Sequence, residues 1–476
     1  MSNSQALDKS YQAVMSRKNE IMKQSVGIDY SEYAIGPLAF DYERMMKESA
    51  YDFDHIREIQ RSVGVGSTPL LELHNVTKLV RMSAPAGKGA RIFIKDEACN
   101  PSGSFKARRA SVSIFHAHRM HYPGVITATS GNYGAAVASQ AAMKGLKCIV
   151  VQEIYDSHMI GQPEIVEKGR ACEAYGAQVM QLTVGPELFY KMLSLLEETG
   201  YFNASLYTPF SVAGIETLGY EVAEDMRRVT GKAPDMVVVT HAGGGNLTGT
   251  VRGLRRAGAD DTRVVAASVD LAGLHMASDR DFNRKSFTTG HTGFGIPFAM
   301  VPDRSDVPRN AARTLRYMER YVTVTQGEVF YTTEMLAQIE GLERGPAGNT
   351  ALAAAVSLAR ELDRDQTLVV QETEYTGAGK HPTAQLTFAR NMGVEVRRGD
   401  PRENQPGKVI VIPDNLSQFA AQEISMPELR SRYLRHITSG IERALEPYEI
   451  EYLMAETNSN REFVISQLFE FGINAA

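Results

Sequence analysis

The 476-residue sequence has no tryptophan and only three cysteines, Cys99, Cys148 and Cys172. The cysteines show no paired spacing, so the sequence supports neither a disulfide framework nor a zinc site, and we expect no metal. No apolar run approaches the roughly 20 residues of a membrane span, and the N-terminus lacks the apolar core of a secretion signal. The net charge of −5 gives no electrostatic case for nucleic acid or membrane as a partner. We therefore expect a cytoplasmic protein.

From Gly124 onward, short apolar strands alternate with helical segments of 10–15 residues. This alternation predicts an α/β fold of open, mostly parallel sheets covered by helices. We expect strands at Val125–Thr129, Met236–Thr240 and Gln366–Gln371, and a loop-rich segment over 275–325. The predicted parts are an N-terminal extension (1–63), a large domain (64–110 and 226–400), a smaller βαβ domain (111–225) and a C-terminal extension (401–476).

One turn delivers a lysine to the start of a helix. Asn100, Pro101, Ser102 and Gly103 are turn-forming residues, and Lys106 begins a segment with few helix breakers. An amine placed near the positive end of a helix and partly out of water has a lowered pKa. This environment suits a lysine that forms a Schiff base with a carbonyl compound, although a solvated surface lysine would give the same pattern.

Two further loops follow predicted strands and open helices. The first, Thr129-Ser-Gly-Asn-Tyr-Gly134, offers Ser130 and backbone amides to a carboxylate and Asn132 to a phenolic oxygen. In the second, Thr240-His-Ala-Gly-Gly-Gly-Asn-Leu247, three adjacent glycines allow backbone N–H groups to converge on a phosphate. The alternatives are an ordinary N-cap and a plain strand-to-helix connection.

The predicted strand over 366–371 ends in hydroxyl and carboxyl groups. Glu372, Thr373 and Thr376 follow it in the sequence Gln-Glu-Thr-Glu-Tyr-Thr. A neutral hydroxyl would leave a pyridine nitrogen largely unprotonated, whereas a carboxylate would keep it charged. Thr373 is our candidate partner for such a nitrogen, with Glu372 and Thr376 as alternatives.

The order of four motifs resembles that of the tryptophan-synthase-β-like (fold type II) pyridoxal-phosphate enzymes. The motifs are the turn before Lys106, the Ser-Gly-Asn-Tyr-Gly loop, the Gly-Gly-Gly-Asn loop and Glu340-Gly…Gly-Asn349-Thr. The resemblance runs over roughly residues 64–390. It implies that Lys106 is the Schiff-base lysine, that Asn132 binds the cofactor's 3-hydroxyl group and that the backbone of Gly243, Gly244, Gly245, Asn246 and Leu247 holds the phosphate. Thr373 would face the pyridine nitrogen, while Ser130, Gly131 and Tyr133 would bind the substrate.

Within this family, three further segments resemble a two-subunit acyltransferase of anaerobic ornithine breakdown. They are Lys95–Arg109, Phe287–Phe298 and Glu372–Pro382, and the long N-terminal extension supports the same resemblance. The resemblance implies thiolytic cleavage of 2-amino-4-oxopentanoate with coenzyme A as co-substrate, giving acetyl-CoA and alanine, expected as the D form. It also implies a small α subunit as partner and a dimer of β subunits within a hetero-oligomer.

Two alternatives remain open. One is an activity like that of the β-eliminating or β-replacing members, such as threonine synthase, threonine dehydratase and cysteine synthase. The other is a catalytically silent partner subunit. Ser104, His291 and Tyr133 are candidate proton donors. We expect Cys99 to be a small buried cysteine and His241 to be packed or hydrogen-bonded rather than catalytic.

Overall fold

We describe the fold from a computed structural model. The structure describes residues 8–49, 51–129, 131–185, 187–272, 282–288, 295–375 and 382–474. Three residues named above, Ser130, His291 and Thr376, lie outside these ranges. The strands are β1 Ala34–Ile35, β2 Ala39–Phe40, β3 Leu70–Glu72, β4 Arg91–Asp96, β5 Gly124–Thr129, β6 Lys147–Tyr155, β7 Gln178–Thr183, β8 Phe202–Asn203, β9 Met236–Thr240, β10 Arg263–Val269, β11 Arg320–Val324, β12 Thr367–Glu372, β13 Glu395–Arg398, β14 Val409–Ile412 and β15 Gln422–Glu423.

Helices separate most of these strands. They are α1 Tyr11–Ser16, α2 Lys18–Val26, α3 Tyr42–Ser49, α4 Phe53–Ser62, α5 His74–Ser83, α6 Lys106–Arg119, α7 Asn132–Met143, α8 Pro163–Ala174, α9 Glu187–Thr199, α10 Pro209–Ala213, α11 Glu216–Thr230, α12 Gly245–Arg256, α13 Phe282–Lys285, α14 Gly295–Met300, α15 Gln326–Glu340, α16 Pro346–Ala359, α17 Pro382–Asn391, α18 Met426–Ile437, α19 Pro447–Thr457 and α20 Arg461–Glu470. Among the described residues, no helix is both long and apolar enough to cross a membrane.

The larger sheet has seven strands in the order β15-β11-β10-β9-β12-β4-β3. The five central strands are parallel, and the short edge strands β3 and β15 are antiparallel to their neighbours. Met236, Val237, Val238 and Val239 of β9 are buried because helices cover both faces of the sheet. A strand buried on both faces reads as a continuous apolar run, which explains why β9 is evident from the sequence.

The smaller sheet has four parallel strands in the order β7-β6-β5-β8. Helix α7 packs closely on it, because a Cβ atom at Gly134 would lie 2.6 Å from Cγ2 of Thr129 and 2.9 Å from Cγ1 of Val150. This close contact requires the small residues of α7. The two open, mostly parallel sheets confirm the predicted fold class.

The first two helices pack on the smaller sheet, whereas Leu38 and Ala39 of the N-terminal segment and the C-terminal helices pack on the larger sheet. Val14 and Met22, in α1 and α2, join the apolar cluster on one face of the smaller sheet. Leu434 of α18, Leu453 of α19 and Val464 of α20 join the core of the larger sheet. The sequence pattern predicts a helix over Arg430–Ala444, whereas α18 begins at Met426 and ends at Ile437. Helix α19 and strand β11 were not predicted.

Candidate active site

A cavity of about 150 Å³ lies where strands of both sheets end. In parallel sheets, ligands bind outside the carboxyl ends of the strands, and residues near or after the ends of β5, β6, β9 and β12 line this cavity. The lining residues are Phe105, Lys106, Arg109, Ala128, Thr129, Asn132, Glu153, Lys168, Leu188, Phe189, Leu206, Tyr207, Thr240, His241, Ala242, Gly243, Gly244, Gly245, Asn246, Arg304, Ala347 and Thr373.

Lys106 reaches the cavity from the first position of α6. The preceding turn is fastened to the end of β12: Phe105 N–H donates to the Thr373 carbonyl at 3.0 Å, and Tyr375 N–H donates to the Gly103 carbonyl at 2.8 Å. Gly103 has a φ of +71°, and a Cβ atom there would collide with the Tyr375 carbonyl oxygen. The turn therefore needs glycine at this position, and it fixes where α6 and its lysine begin.

The loop after β5 presents Asn132 to the cavity. Asn132 is the first residue of α7, and its buried Oδ1 atom has no hydrogen-bond partner among the residues that the structure describes. Gly131 does not line the cavity, and its N–H donates to Oγ1 of Thr129 at 3.0 Å. Tyr133 is 1% exposed and packs in the core of the smaller sheet. This burial does not support the substrate-binding or proton-donating role predicted for its side chain.

The glycine loop after β9 is built to leave its N–H groups open. Gly244 has a φ of +86°, and a Cβ atom there would collide with Cγ2 of Thr314. Nδ2 of Asn310 donates to the Gly243 carbonyl at 2.7 Å, which anchors the loop. Within the described ranges, none of the N–H groups of residues 243–247 donates a hydrogen bond.

The side chain of Asn246 also lacks partners. Its Oδ1 and Nδ2 atoms are both buried and unsatisfied by the described residues. Leu247 contributes only backbone to this loop, because its side chain lies in the core of the larger sheet. A row of open N–H groups at the positive end of a helix is the arrangement that binds phosphate.

The end of β12 places two of the three candidates for the pyridine nitrogen, Thr373 and Glu372, differently. Thr373 is buried and lines the cavity. Glu372 is fully buried beneath α16, where a Cβ atom at Gly348 would collide with its Oε1, and it does not line the cavity. Thr376 lies outside the described residues. The geometry therefore favours Thr373 over Glu372.

Arg109 was missed by the sequence analysis. It is 2% exposed, lies one helical turn after Lys106 and lines the same cavity. Its Nε donates to Oγ of Ser211 at 3.0 Å and its Nη2 to the Leu206 carbonyl. No carboxylate among the described residues pairs with it, and burial lowers the pKa of Arg109 to about 10. Arg109 follows Lys106 by three residues, and residues at this spacing lie on the same face of a helix, so the spacing could have indicated that both face the site.

The neighbouring Arg108 has the opposite surroundings. Its Nε donates to Glu97 at 2.7 Å and its Nη2 to Glu221 at 2.8 Å. The two carboxylates raise the pKa of Arg108 above its usual range, despite complete burial. Carboxylates therefore compensate the charge of Arg108, whereas the adjacent Arg109 has no carboxylate partner among the described residues.

Glu153 and two paired cations form another part of the lining. Glu153 is 2% exposed and accepts a hydrogen bond from Gly185 N–H at 3.2 Å. Burial raises the pKa of Glu153 to about 7. Lys168 pairs with Glu164, and Arg304 pairs with Asp306. No pattern in the sequence indicates that Glu153 and Lys168 are buried.

His241 follows β9 and packs edge-on against Tyr321, with ring centroids 5.1 Å apart. Both ring nitrogens are buried and have no partner among the described residues, and burial lowers the pKa of His241 to about 3. His241 is therefore packed, as predicted, but it also lines the cavity as a neutral imidazole.

Two other residues lie away from the cavity lining. Cys99 is exposed, so the prediction of a buried cysteine was wrong. It ends a short helical turn on the surface, where its Sγ lies 3.4 Å from Oδ2 of Asp96. Ser104 is fully buried, and its Oγ has no partner within the described part of the chain.

Comparison with known proteins agrees with this geometry. The family described as pyridoxal-phosphate dependent enzyme matches residues 61–374, and the chain belongs to it. The chain is 63% identical to a protein of Acetoanaerobium sticklandii named 2-amino-4-ketopentanoate thiolase beta subunit, over 97% of this chain and 99% of that protein. A second protein of that name, from an unknown prokaryotic organism, is 62% identical over 98% of this chain and 99% of its own length.

Solved structures support the fold. The threonine deaminase of T.th. superposes with a TM-score of 0.52 at 23% identity, covering 69% of this chain and 99% of that chain. This likeness and the family match confirm the fold type II architecture, and the family match confirms pyridoxal phosphate as the cofactor. The cavity fits such a group, because it offers a reachable lysine, open loop N–H groups and buried polar atoms on Asn132 and Asn246.

Proposed function

We propose that this chain is the catalytic β subunit of a thiolase that cleaves 2-amino-4-oxopentanoate with coenzyme A to acetyl-CoA and alanine, expected as the D form, in ornithine degradation. The observation that carries the proposal is the 63% identity with the thiolase β subunit, which extends over nearly the full length of both chains. It includes the N- and C-terminal segments outside the family match of 61–374.

Residues of the cavity are assigned roles by their positions. Lys106 would link the cofactor, Asn132 would bind its 3-hydroxyl group and Thr373 would face its pyridine nitrogen. The backbone N–H groups of residues 243–247 would hold the phosphate. The loop of Ser130, Gly131 and Tyr133 would bind the substrate carboxylate through its backbone at the N-terminus of α7, since the Tyr133 side chain is buried elsewhere.

The reaction breaks the C3–C4 bond of the substrate and forms a bond between the coenzyme A sulfur and C4. The thiol proton balances the proton that C3 gains. When bound, the cofactor supplies an electron sink for the negative charge that develops on the substrate. The Lys106 amine is our candidate base for the proton on the amino-bearing carbon, because it is the lysine at the start of α6 and lines the cavity.

A carboxyl group in the cavity wall can also transfer protons while the C3–C4 bond is cleaved. Glu153 is buried in the cavity wall, and burial raises its pKa to about 7. A carboxyl group of this kind can hold a proton near neutral pH and pass it to a carbon or receive it from a thiol. Lys168 and Arg304 lie in the same wall, but each is paired with a carboxylate that compensates its charge.

The assembly and domain division are further parts of the proposal. The name of the A. sticklandii protein as a beta subunit supports a small α subunit as partner, and we propose a dimer of β subunits in the complex. We propose that residues 111–225 form the smaller domain that closes on the substrate, and that 64–110 with 226–400 form the cofactor domain. Residues 1–63 would form the N-terminal extension of the β subunit, and residues 401–476 would form its C-terminal extension.

The competing activity is β-elimination or β-replacement on an amino acid. A probable cysteine synthase of Bacillus subtilis is 28% identical over 64% of this chain and 90% of its own length. This likeness covers only 64% of the chain at a much lower identity, so it supports the common fold and cofactor rather than the particular reaction.

The experiment combines the purified chain with its candidate α subunit, pyridoxal phosphate, 2-amino-4-oxopentanoate and coenzyme A. We expect a visible absorption band from the bound cofactor and acetyl-CoA release that requires coenzyme A. Lys106→Ala should abolish both, whereas Lys78→Ala, at an exposed helical lysine, should change neither. Ammonia or pyruvate release from serine or threonine without coenzyme A would contradict the proposal.

A further inference from the structure

The charge of Arg109 is the unexplained feature of the cavity. The side chain is buried, and its hydrogen bonds go to neutral acceptors on Ser211 and Leu206. Taking a guanidinium group out of water without an anionic partner is costly, so buried arginines are normally paired. Arg108, Lys168 and Arg304 all have carboxylate partners in the structure. Arg109 therefore implies an anion that binds from the cavity.

The position of Arg109 identifies that anion. An ideal Cβ atom at Gly245 would stand 2.5 Å from its Nη2, 2.8 Å from its Cζ and 3.0 Å from its Nη1. The guanidinium group therefore lies directly over the first residue of α12. This is the loop in which the N–H groups of residues 243–247 have no acceptors within the described ranges.

We propose that Arg109 is a direct ligand of the cofactor phosphate, adding a full positive charge to the backbone N–H groups of the glycine loop. A phosphate ester carries a charge of about −1.5 to −2 near neutral pH, whereas a helix N-terminus offers only about half a positive charge. Arginine's planar fork also matches phosphate oxygens in geometry. Nη1, which donates to none of the described residues, is available for this bond.

Arg109 would then bind the phosphate of the cofactor, and Lys106 of the same helix would be linked to the cofactor covalently. They are three residues apart on α6, and both line the cavity. This role of Arg109 rests on the proposed placement of the phosphate at residues 243–247. The experiment below tests the role of Arg109 and the placement of the phosphate separately. It compares the affinity for pyridoxal 5′-phosphate with that for pyridoxal, which lacks the phosphate group.

The affinity ratio is measured by absorbance titration for the wild type, Arg109→Met and Arg109→Gln. We expect both neutral variants to lower the preference for the phosphorylated compound by roughly 10- to 100-fold. Arg109→Lys should restore part of this preference. Arg119→Met removes an exposed arginine of the same helix and should leave the ratio unchanged.

Thermal unfolding supplies a readout that does not depend on catalysis. The apo form of Arg109→Met should melt no lower than the apo wild type, because it loses an uncompensated buried charge, while its rise in Tm on adding pyridoxal phosphate should be smaller. A purely structural role predicts the reverse: a less stable apo form with an unchanged rise. If Arg109→Met does not fold, Arg109→Gln carries the test, since its amide can keep a bond to Ser211 or Leu206.

Gly244→Ala tests the loop itself. If it lowers the affinity ratio and the neutral Arg109 variants do not, the inference fails and the placement of the phosphate stands. If Gly244→Ala leaves the ratio unchanged, the placement fails together with the inference. An unchanged ratio in the Arg109 variants with weaker binding of alanine would reassign this arginine to the substrate carboxylate and overturn the proposal.

Discussion

The guanidinium group of Arg109 covers the backbone of Gly245 so closely that a methyl group at this glycine would stand 2.5 Å from Nη2. Arg109 belongs to α6, which begins at Lys106, and Gly245 begins α12. This contact therefore joins the helix that carries Lys106 to the glycine loop after β9. It follows that the two positions are energetically coupled, and that neither can be changed without affecting the other.

Gly245→Ala should therefore displace Arg109 and weaken binding of pyridoxal phosphate by roughly 10-fold or more. In the background of Arg109→Ala, which removes the obstructing group, the same substitution should have a much smaller effect. A double-mutant cycle of cofactor affinities measures the coupling, which we expect to be about 1 kcal/mol or larger. Additive effects would contradict a direct contact. Gly258→Ala, where an added Cβ atom would meet no heavy atom within 4 Å, makes no such contact and should leave the cofactor affinity unchanged.

Replacing Glu153 should change how stability depends on pH. Burial raises the pKa of the Glu153 carboxyl group from its ordinary value of 4.5 to about 7, so between these pH values the folded state binds more protons than the unfolded state. Its contribution to stability is present below pH 4.5 and is lost as the pH rises through 7. Glu153→Gln should therefore gain stability relative to the wild type between pH 5 and pH 8, by up to about 3 kcal/mol.

Urea unfolding at several pH values measures this difference. Glu173, an exposed glutamate of α8, provides the control, because Glu173→Gln should leave the pH dependence nearly unchanged. Arg304 and Glu187 both act on the Glu153 charge, with opposite signs. If the difference between Glu153→Gln and the wild type does not vary with pH, Glu153 is not a buried carboxyl group with a raised pKa.

His241 should give the opposite trend. Burial lowers its pKa from 6.5 to about 3, so below pH 6.5 the unfolded chain binds a proton that the folded chain does not. The wild type should lose up to about 2 kcal/mol from this residue between pH 7 and pH 5. His241→Gln should remove that loss, whereas His118→Gln, at an exposed position, should retain it. Equal acid sensitivity of His241→Gln and the wild type would contradict this account.

Arg108→Met should affect stability rather than the choice of cofactor. It would leave Glu97 and Glu221 without the guanidinium group that compensates their charges. Removing one partner of a buried ion pair costs about 3–5 kcal/mol, measurable as a lower urea midpoint. The preference for pyridoxal phosphate over pyridoxal should be that of the wild type in any folded fraction. A reduced preference would mean that Arg108, rather than Arg109 alone, contributes to the phosphate site.

The sequence predicted the parts of the site that depend on local chemistry. Glycines and turn residues mark strand-to-helix loops wherever they fall, and the cavity brings together Lys106, Asn132, the loop at 243–246 and Thr373. Their roles toward the cofactor stay predictions. Strand β11 was missed because it lies in the segment over 275–325, whose loop-forming residues dominate the pattern.

What could not be predicted depends on contacts between distant segments. Arg108 and Arg109 are adjacent and chemically identical, and only the approach of Glu97 and Glu221 gives one of them partners. Glu153 reads as an ordinary charged residue at the end of a strand, and its raised pKa arises from burial by the surrounding fold. Such properties belong to the assembled core and leave no local signal.

The edge of the seven-stranded sheet shows what the C-terminal segment contributes beyond packing. β15 pairs with β11 through only two residues, Gln422 and Glu423, and Arg320 forms ion pairs with Glu361 and Glu423 there. An open strand edge is a template for pairing with other chains, and short or charged edge strands discourage it. Because β15 in the C-terminal segment covers this edge of β11, we expect removal of the segment beyond residue 401 to leave β11 open to pairing with other chains.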